Sequence, residues 1–343
     1  MNVTRSHWSG LRCAVATALV AATVVHTTPA RAQSNSGALD LLLPIGARAT
    51  AMGSAVVAEQ GSEGAWWNPA GLARMTKPDF SLDHFATFQI TSGDAVSLIL
   101  PAGRVGVFAI GGRLFDYGST PSLSTGNEQT GVQLIRSIVG SGSFAAAFGP
   151  RFSGGLAFRL YQLSAPCSGI CGTGSGSSTE AVSGDFWSSG LDVGIQFRPS
   201  ETSPLQLGAV ISNIGPSLQV HDQQQADALP QRIRLGASYR PTSSDWDPAV
   251  RLRTTMEFVS TPGFSERELH FGGELGYVTG QATVALRGGY VWQQSSGPES
   301  GVGPSVGFGL SSGRVQLDFG QVFDSFSTGL EKPPRYISIR IGL

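Results

Sequence analysis

Between residues 79 and 343 apolar and polar residues alternate two by two, and beyond residue 32 no apolar run approaches the roughly 20 residues that a helix needs to cross a bilayer. Such a chain either stays in water or meets a membrane as strands. The pattern is sharpest over 249–259, where Val250, Leu252, Met256 and Phe258 share one face and Arg251, Arg253 and Glu257 the other. Over 268–278, Leu269, Phe271, Leu275 and Tyr277 oppose Glu268, His270 and Glu274. Over 231–240, Ile233, Leu235, Ala237 and Tyr239 oppose Arg232, Arg234 and Arg240, and over 335–343 Ile337, Ile339, Ile341 and Leu343 oppose Tyr336, Ser338 and Arg340. A soluble sandwich alternates in the same way. Alternation alone leaves both architectures open.

Connection lengths discriminate better. Fourteen strands are predicted: 79–89, 94–101, 104–115, 128–148, 152–163, 185–198, 204–214, 231–240, 249–259, 268–278, 282–293, 304–311, 314–325 and 335–343. The fourth is overlong, and a bulge is expected near Gly140 to Gly142. From the second strand onward the gaps alternate between tight (102–103, 149–151, 199–203, 241–248, 279–281, 312–313) and long (116–127, 164–184, 215–230, 260–267, 294–303, 326–334). Short turns at one end and long loops at the other is the outer-membrane barrel pattern, with the short set expected in the periplasm. The brief first hairpin at 90–93 is the exception.

Composition agrees. With 23 basic and 24 acidic residues there is no electrostatic footprint for nucleic acid. Only 14% of residues are charged and 46 are glycine, which suits a barrel with one apolar and one wet face better than a soluble enzyme. Residues 1–32 read as a secretory signal: Arg5 and Arg12 precede an apolar run from Ala14 to Val25, and Ala30-Arg31-Ala32 supplies the small-x-small cleavage site.

Between the signal and the first strand lies a segment, 33–78, of different character. It is rich in small residues from Ala47 to Val57 and carries Gly46, Gly53, Gly61, Gly64 and Gly71, so that backbone can approach backbone closely. Ser62 is the expected N-cap of a short helical turn through Trp67, and Asn68-Pro69 ends that turn and begins the next. On its own the segment reads as something built to be packed inside a barrel, or as a loop and helix capping a soluble β domain. It resembles the hatch of the PorV/PorQ family, a branch of the FadL-like outer-membrane proteins, through Gly46-Ala47-Arg48-Ala49, Ala51-Met52-Gly53 and Trp67-Asn68-Pro69-Ala70-Gly71-Leu72. Ser54 stands where that family usually has a second glycine. The stretches Gly112 to Gly118, Leu207 to Gly215 and Leu229 to Gly236 extend the resemblance along the chain.

The reading that follows is all-β: a transmembrane antiparallel β-barrel of about 14 strands (79–343) with a small N-terminal hatch or plug (33–78), delivered by the signal at 1–32 to a Gram-negative outer membrane. The resemblance implies a hatch-gated route for hydrophobic small molecules, in contact with outer-membrane lipid. The alternative within the family is a type IX secretion barrel that holds exported proteins at the cell surface. Hatch and gating candidates are Arg48, Met52, Gly53, Trp67, Asn68, Pro69, Ala70 and Gly71, with the Asn68 amide expected to join the Pro69 turn to the wall.

No catalytic, cofactor or metal site is expected. There is no G-x-S-x-G, phosphate loop or dinucleotide fingerprint. Glu257, Glu268 and Glu274, interleaved with Arg251 and Arg253, read as a salt network filling a lumen rather than as the acids of a surface hydrolase. His84, His221 and His270 fall on separate elements as lumen or loop residues. Cys167 and Cys171 are expected to form a disulfide pinning the longest loop, since the loop offers too few further ligands for a metal. Trp66 and Trp67 are read as anchors against the lumen wall, with a ligand-stacking platform as the alternative, and Trp187, Tyr239, Tyr277, Tyr290 and Trp292 as an interfacial aromatic girdle.

Overall fold

The computed structural model describes residues 37–86, 91–123, 128–170, 183–219, 226–241, 247–262, 266–294, 303–323 and 333–343. The expected signal, His221 and Cys171 lie outside the described residues. After four short helical turns (Leu39–Leu42, Ala47–Ala51, Ser62–Ala65, Pro69–Leu72) come β1 (Asp79–Ala86), β2 (Ser92–Pro101), β3 (Val107–Leu123), β4 (Gln129–Phe148), β5 (Phe152–Ser164), β6 (Cys167–Gly169), β7 (Asp185–Phe197) and β8 (Leu205–Ile214). They are followed by β9 (Arg232–Tyr239), β10 (Val250–Thr261), β11 (Glu266–Thr279), β12 (Ala282–Gln293), β13 (Gly303–Ser312), β14 (Val315–Val322) and β15 (Arg335–Gly342).

All strands but β6 close into one ring of fourteen, each antiparallel to its neighbours, with β1 paired to β15 from Asp79↔Gly342 to Ala86↔Arg335. Closure removes both sheet edges, so every wall strand has a ladder on each side. The period-2 pattern sorts side chains to opposite faces. Leu235, Met256, Phe271, Leu275, Leu286, Phe308 and Ile337 are exposed outward, while Arg234, Glu257, His270, Arg287 and Ser338 are buried inward. Only lipid makes such an outside favourable, and the fold is a transmembrane β-barrel. Trp187, Tyr239, Tyr277, Tyr290 and Trp292 all face outward.

Three expectations need correction. The register of β4 runs unbroken through Gly140 and Gly142, opposite Gly112 and Ile110; the irregularities lie further along the pair, one with its extra residue in β3 between Asp116 and Ser119, the other with its extra residue, Thr130, in β4 opposite the Ser122–Leu123 step. The stretch 116–127 is not simply a loop, because β3 continues to Leu123 and outruns its neighbour: β2 pairs with it only as far as Asp116, and β5 pairs with β4 only from Arg136. The overhang is a hairpin ribbon to which β6 adds a third strand through Gly131↔Gly169, Val132↔Ser168 and Gln133↔Cys167. Cys167 within it is disulfide-bonded. Finally, His84 is neither lumen nor loop: it faces outward near the end of β1, 2.8 Å from Asp94 Oδ1.

Arginine at Leu286, mid-strand on the outer face, should destabilise the barrel by about 2–4 kcal/mol in a folding titration, the cost of a guanidinium near the bilayer midplane. Arginine at Thr283, which lines an internal cavity, should cost distinctly less. Equal costs would mean that the outer face does not meet lipid.

Candidate functional site

Fourteen strands enclose more lumen than inward side chains fill, and here the N-terminal segment occupies the space. Ala47, Ala49, Ala51, Met52 and Leu72 are completely buried. The segment lies so close to the wall that some wall positions can carry no side chain. A Cβ at Gly320 would sit 2.6 Å from the Ala47 carbonyl oxygen, one at Gly272 2.5 Å from the Met52 carbonyl oxygen, and one at Gly155 2.5 Å from the Pro69 carbonyl carbon. From the segment's own side, Gly53 (φ 62°) leaves no room for a Cβ, which would come 2.5 Å from the Phe271 carbonyl oxygen. Ser54 follows at φ 60°, also left-handed.

The segment's backbone is held mainly by side chains of the wall. Ala47 N–H donates to Ser338 Oγ (2.7 Å), Gly53 N–H to Ser305 Oγ (3.2 Å) and Val57 N–H to Glu257 Oε2 (3.0 Å). In return Arg234 donates to the Ser54 carbonyl (3.0 Å), His270 Nδ1 to that of Gly53 (2.6 Å), and Gln196 Nε2 to those of Val57 (3.1 Å) and Glu59 (2.7 Å).

Arg48 is the centre of the charge network. Its three guanidinium nitrogens meet Glu59 at 3.3 Å, Glu63 at 3.1 Å and Glu274 at 3.0 Å. Glu274 also pairs with Arg253 (3.0 Å) and Arg287 (2.7 Å), and Glu63 with Arg340 (2.9 Å). Burial works to raise the Glu63 carboxyl, but Arg340 and Arg48 outweigh it and hold it well below the usual carboxylate range. Its ion pairs therefore contribute stability that is present above the ordinary carboxylate range and is lost only as pH falls far below it.

Asn68 is the N-cap of the Pro69–Leu72 turn: Oδ1 accepts from Ala70 N–H (3.1 Å), and Nδ2 donates to Val57 O (2.7 Å) and to the wall carbonyls of Ile195 (3.3 Å) and Ala209 (3.4 Å). Ser62, by contrast, is not a cap but the first residue of its turn, with Gly61 at φ 135° in the cap position. Trp67 donates Nε1–H to Ile45 O (2.9 Å) beneath the Arg234 guanidinium, 4.6 Å from the ring centroid, while Arg159 lies 5.8 Å from the Trp66 ring. Of the residues singled out from sequence, Arg48, Met52, Gly53, Trp67, Asn68, Pro69, Ala70 and Gly71 all lie buried in this segment.

Asp40, Glu59 and Glu63 were not singled out from sequence. Buried Asp40 accepts from Arg113 (2.5 Å), Ser137 Oγ (2.5 Å), Tyr161 OH (2.9 Å) and Tyr117 OH (3.0 Å). Glu59 binds Arg48, Arg240, Arg253 and Ser238. Their signal was present, since a carboxylate inside a small-residue segment destined for burial requires a cation from elsewhere in the chain.

Cavities adjoin the segment on several sides, among them one of about 20 Å³ between Trp66 and Trp67 and the Arg48–Glu63–Arg340 cluster. Toward the long-loop end, a small one of about 40 Å³ is lined by Leu41, Leu42, Leu43, Ile45, Trp66 and Trp67 on the segment's side and by arginines on the wall's side. Toward the short-turn end, a vestibule of about 660 Å³ is lined largely by charged and polar groups, including Arg48, Glu63, Arg253, Glu274 and Arg287. Among the described residues no group of three His, Cys, Asp or Glu side chains is placed to hold a metal ion.

The chain matches no protein-family model and no curated protein sequence. Among solved structures it is similar to the Pseudomonas putida toluene transporter TodX, with a TM-score of 0.55 at 13% identity over 87% of this chain and 98% of that one. A second TodX structure gives 0.52 at 15% identity over 86% and 96%. A TodX deltaS2S3 mutant, titled a monoaromatic hydrocarbon channel, gives 0.55 at 13% over 86% and 96%. At such identities the likeness is one of fold.

Replacing Arg48 by Ala takes the shared cation from three carboxylates that each keep another arginine partner, and should cost about 1.5–3 kcal/mol, read as a lower unfolding midpoint of the barrel in detergent. Ser54→Gly, which relieves a left-handed serine, should raise stability by about 1 kcal/mol in the same assay.

Proposed function

We propose that this chain is an outer-membrane barrel of the PorV/PorQ, FadL-like type, exported to the outer membrane by a signal at 1–32, and that it offers hydrophobic small molecules a route gated by the hatch at 33–78. The observation that carries the reading is the placement of that segment. It lies between the vestibule and the cavity whose segment side is Leu41, Leu42, Leu43, Ile45, Trp66 and Trp67, with Ala47, Ala49, Ala51 and Met52 completely buried against the wall, and in this reading a solute passes along the lumen when the segment shifts. Similarity of fold to TodX, a toluene transporter and hydrocarbon channel, supports the substrate class. The long-loop end is placed outside and the short-turn end in the periplasm. The secretion reading, a barrel that holds exported proteins at the surface, rests on the PorV/PorQ resemblance alone.

Asn68 is the sharpest test, because its amide nitrogen ties the Pro69 turn to Val57 and to two wall carbonyls at once. Asn68→Ala should leave the heat-resistant barrel intact and raise permeation of a hydrophobic fluorescent probe into proteoliposomes several-fold. Failure to assemble would make the segment a folding element, and unchanged permeation would reduce Asn68 to a turn residue. Retention of exported proteins by intact cells, with no probe flux, would favour the secretion reading.

Orientation is tested separately. Thr120→Cys, on the ribbon, should react with an impermeant maleimide on intact cells, whereas Arg104→Cys, at a short turn, should not. The reverse pattern would invert the barrel.

A further inference from the structure

The vestibule at the short-turn end is not what a route for apolar solutes alone requires. Six arginines line it (Arg48, Arg240, Arg251, Arg253, Arg287 and Arg340) against three lining carboxylates, Glu63, Glu274 and Asp318. The carboxylates are not evenly shared. Glu63, Glu274 and Asp318 are engaged by Arg48, Arg287 and Arg340, with Arg253 as a further partner of Glu274, and Glu59, behind the lining, is divided among Arg48, Arg240 and Arg253.

One sector is left with donors to spare. Arg253 stands beside Arg240 where β10 leaves β9, and Arg251 lies two residues before Arg253 on the same face. Like charges on adjacent strands repel. Arg240 Nε and Arg253 Nε are buried without a hydrogen-bond acceptor. Arg251 reaches only the carbonyls of Pro248 and Val250 and, among the described residues, meets no carboxylate within 4.0 Å. Its cross-strand neighbour is Gly276, which projects nothing into the space in front of it. Arg198, hydrogen-bonded to Gln60 and Gln206 near the same mouth, is pushed below its ordinary value by burial and by Arg74 and Arg240, a sign of the surplus positive potential.

We propose that Arg240, Arg251 and Arg253 form a binding site for an oxyanion, a carboxylate or phosphate group carried by a small soluble molecule that enters the vestibule from the short-turn end. The guanidinium fork matches either anion with paired N–H donors. A volume of about 660 Å³ is ample for a metabolite-sized ligand. A lipid headgroup is a poor occupant, because Arg253 and Arg251 share the inward face of β10 while Met256 and its alternates face the bilayer. Arg240 and Arg253 are also ion-paired with Glu59 of the segment, whereas Arg251 makes no hydrogen bond or ion pair with it among the described residues, so Arg251→Gln tests the site separately from the hatch-gated reading.

The test is calorimetric titration of the purified full chain in detergent with succinate and, in parallel, inorganic phosphate. Expected is saturable one-site binding of at least one probe, weakened about tenfold or more by Arg251→Gln and by Arg240→Gln and partly restored by Arg251→Lys. Arg136→Gln, on the ribbon at the other end, should change nothing. Arg251→Gln should keep the barrel's heat-modified mobility, because Arg251 touches only carbonyls of its own strand and the turn before it. As a check that does not rely on substitution, succinate or phosphate should protect Arg251 from phenylglyoxal in the unaltered protein. No saturable binding of either probe, equal weakening by Arg136→Gln, or binding unaffected by Arg251→Gln would overturn the proposal.

Discussion

A guanidinium buried in the middle of a protein is tolerable only if it is surrounded by carboxylates, and much of the architecture follows from placing Arg48 there. Two of its partners, Glu59 and Glu63, come from its own segment and the third, Glu274, from β11. Each of those acids then recruits further wall arginines, and Glu59 also Ser238, so that β9, β10, β12 and β15 are all tied to one side chain at one remove. The ring of strands and the segment inside it are thus coupled electrostatically. Neither has its charges satisfied without the other.

Backbone hydrogen bonding imposes the same dependence by a different route. Wall strands have spent their own N–H and C=O groups on neighbours, so an irregular segment in the lumen cannot pair with them as another strand would. It finds side chains instead, Ser338, Ser305, Glu257, Gln196 and Arg234 among them, each contributing on the order of 0.5–1.5 kcal/mol net. Glycines at positions such as 272, 155 and 320 let the segment come close enough for those bonds to form. Many modest ties at close range hold a segment firmly while leaving no single bond that must break first.

This division explains what could be read from the residues alone. All fourteen wall strands were legible because each carries a period-2 signal of its own: Leu269, Phe271 and Leu275 against Glu268, His270 and Glu274 need no knowledge of any other strand. The ribbon was not, since whether 116–123 is loop or strand depends on β4 being long enough to pair with it. The bulge was put in the wrong place for the same reason: glycines at 140 and 142 looked like a weak point, but they sit in an unbroken ladder, and the register adjusts beside Gly118, where φ is 82°. At the candidate site, Trp67-Asn68-Pro69 announced a turn by local chemistry, whereas Asp40's partners lie 73 to 121 residues away and no local pattern predicts them.

Under the gating proposed above, the segment has to move charges as well as mass. The wall glycines Gly272 and Gly320 carry no side chain against the segment's backbone at Met52 and Ala47, so no wall side chain stands in the way there. Withdrawing Arg48 from Glu274, however, leaves a carboxylate facing Arg253 and Arg287 with no third cation, and leaves Glu59 and Glu63 to travel with Arg48 or separate from it. The cheaper motion keeps Arg48, Glu59 and Glu63 together as an internally paired unit and breaks only their contacts to the wall. Water in the vestibule can then solvate the exposed wall arginines, which lowers the penalty that a dry lumen would exact. The vestibule of about 660 Å³ therefore favours displacement in that direction, while the cavity on the other side, about 40 Å³, has little room for water beside the arginines on its wall side.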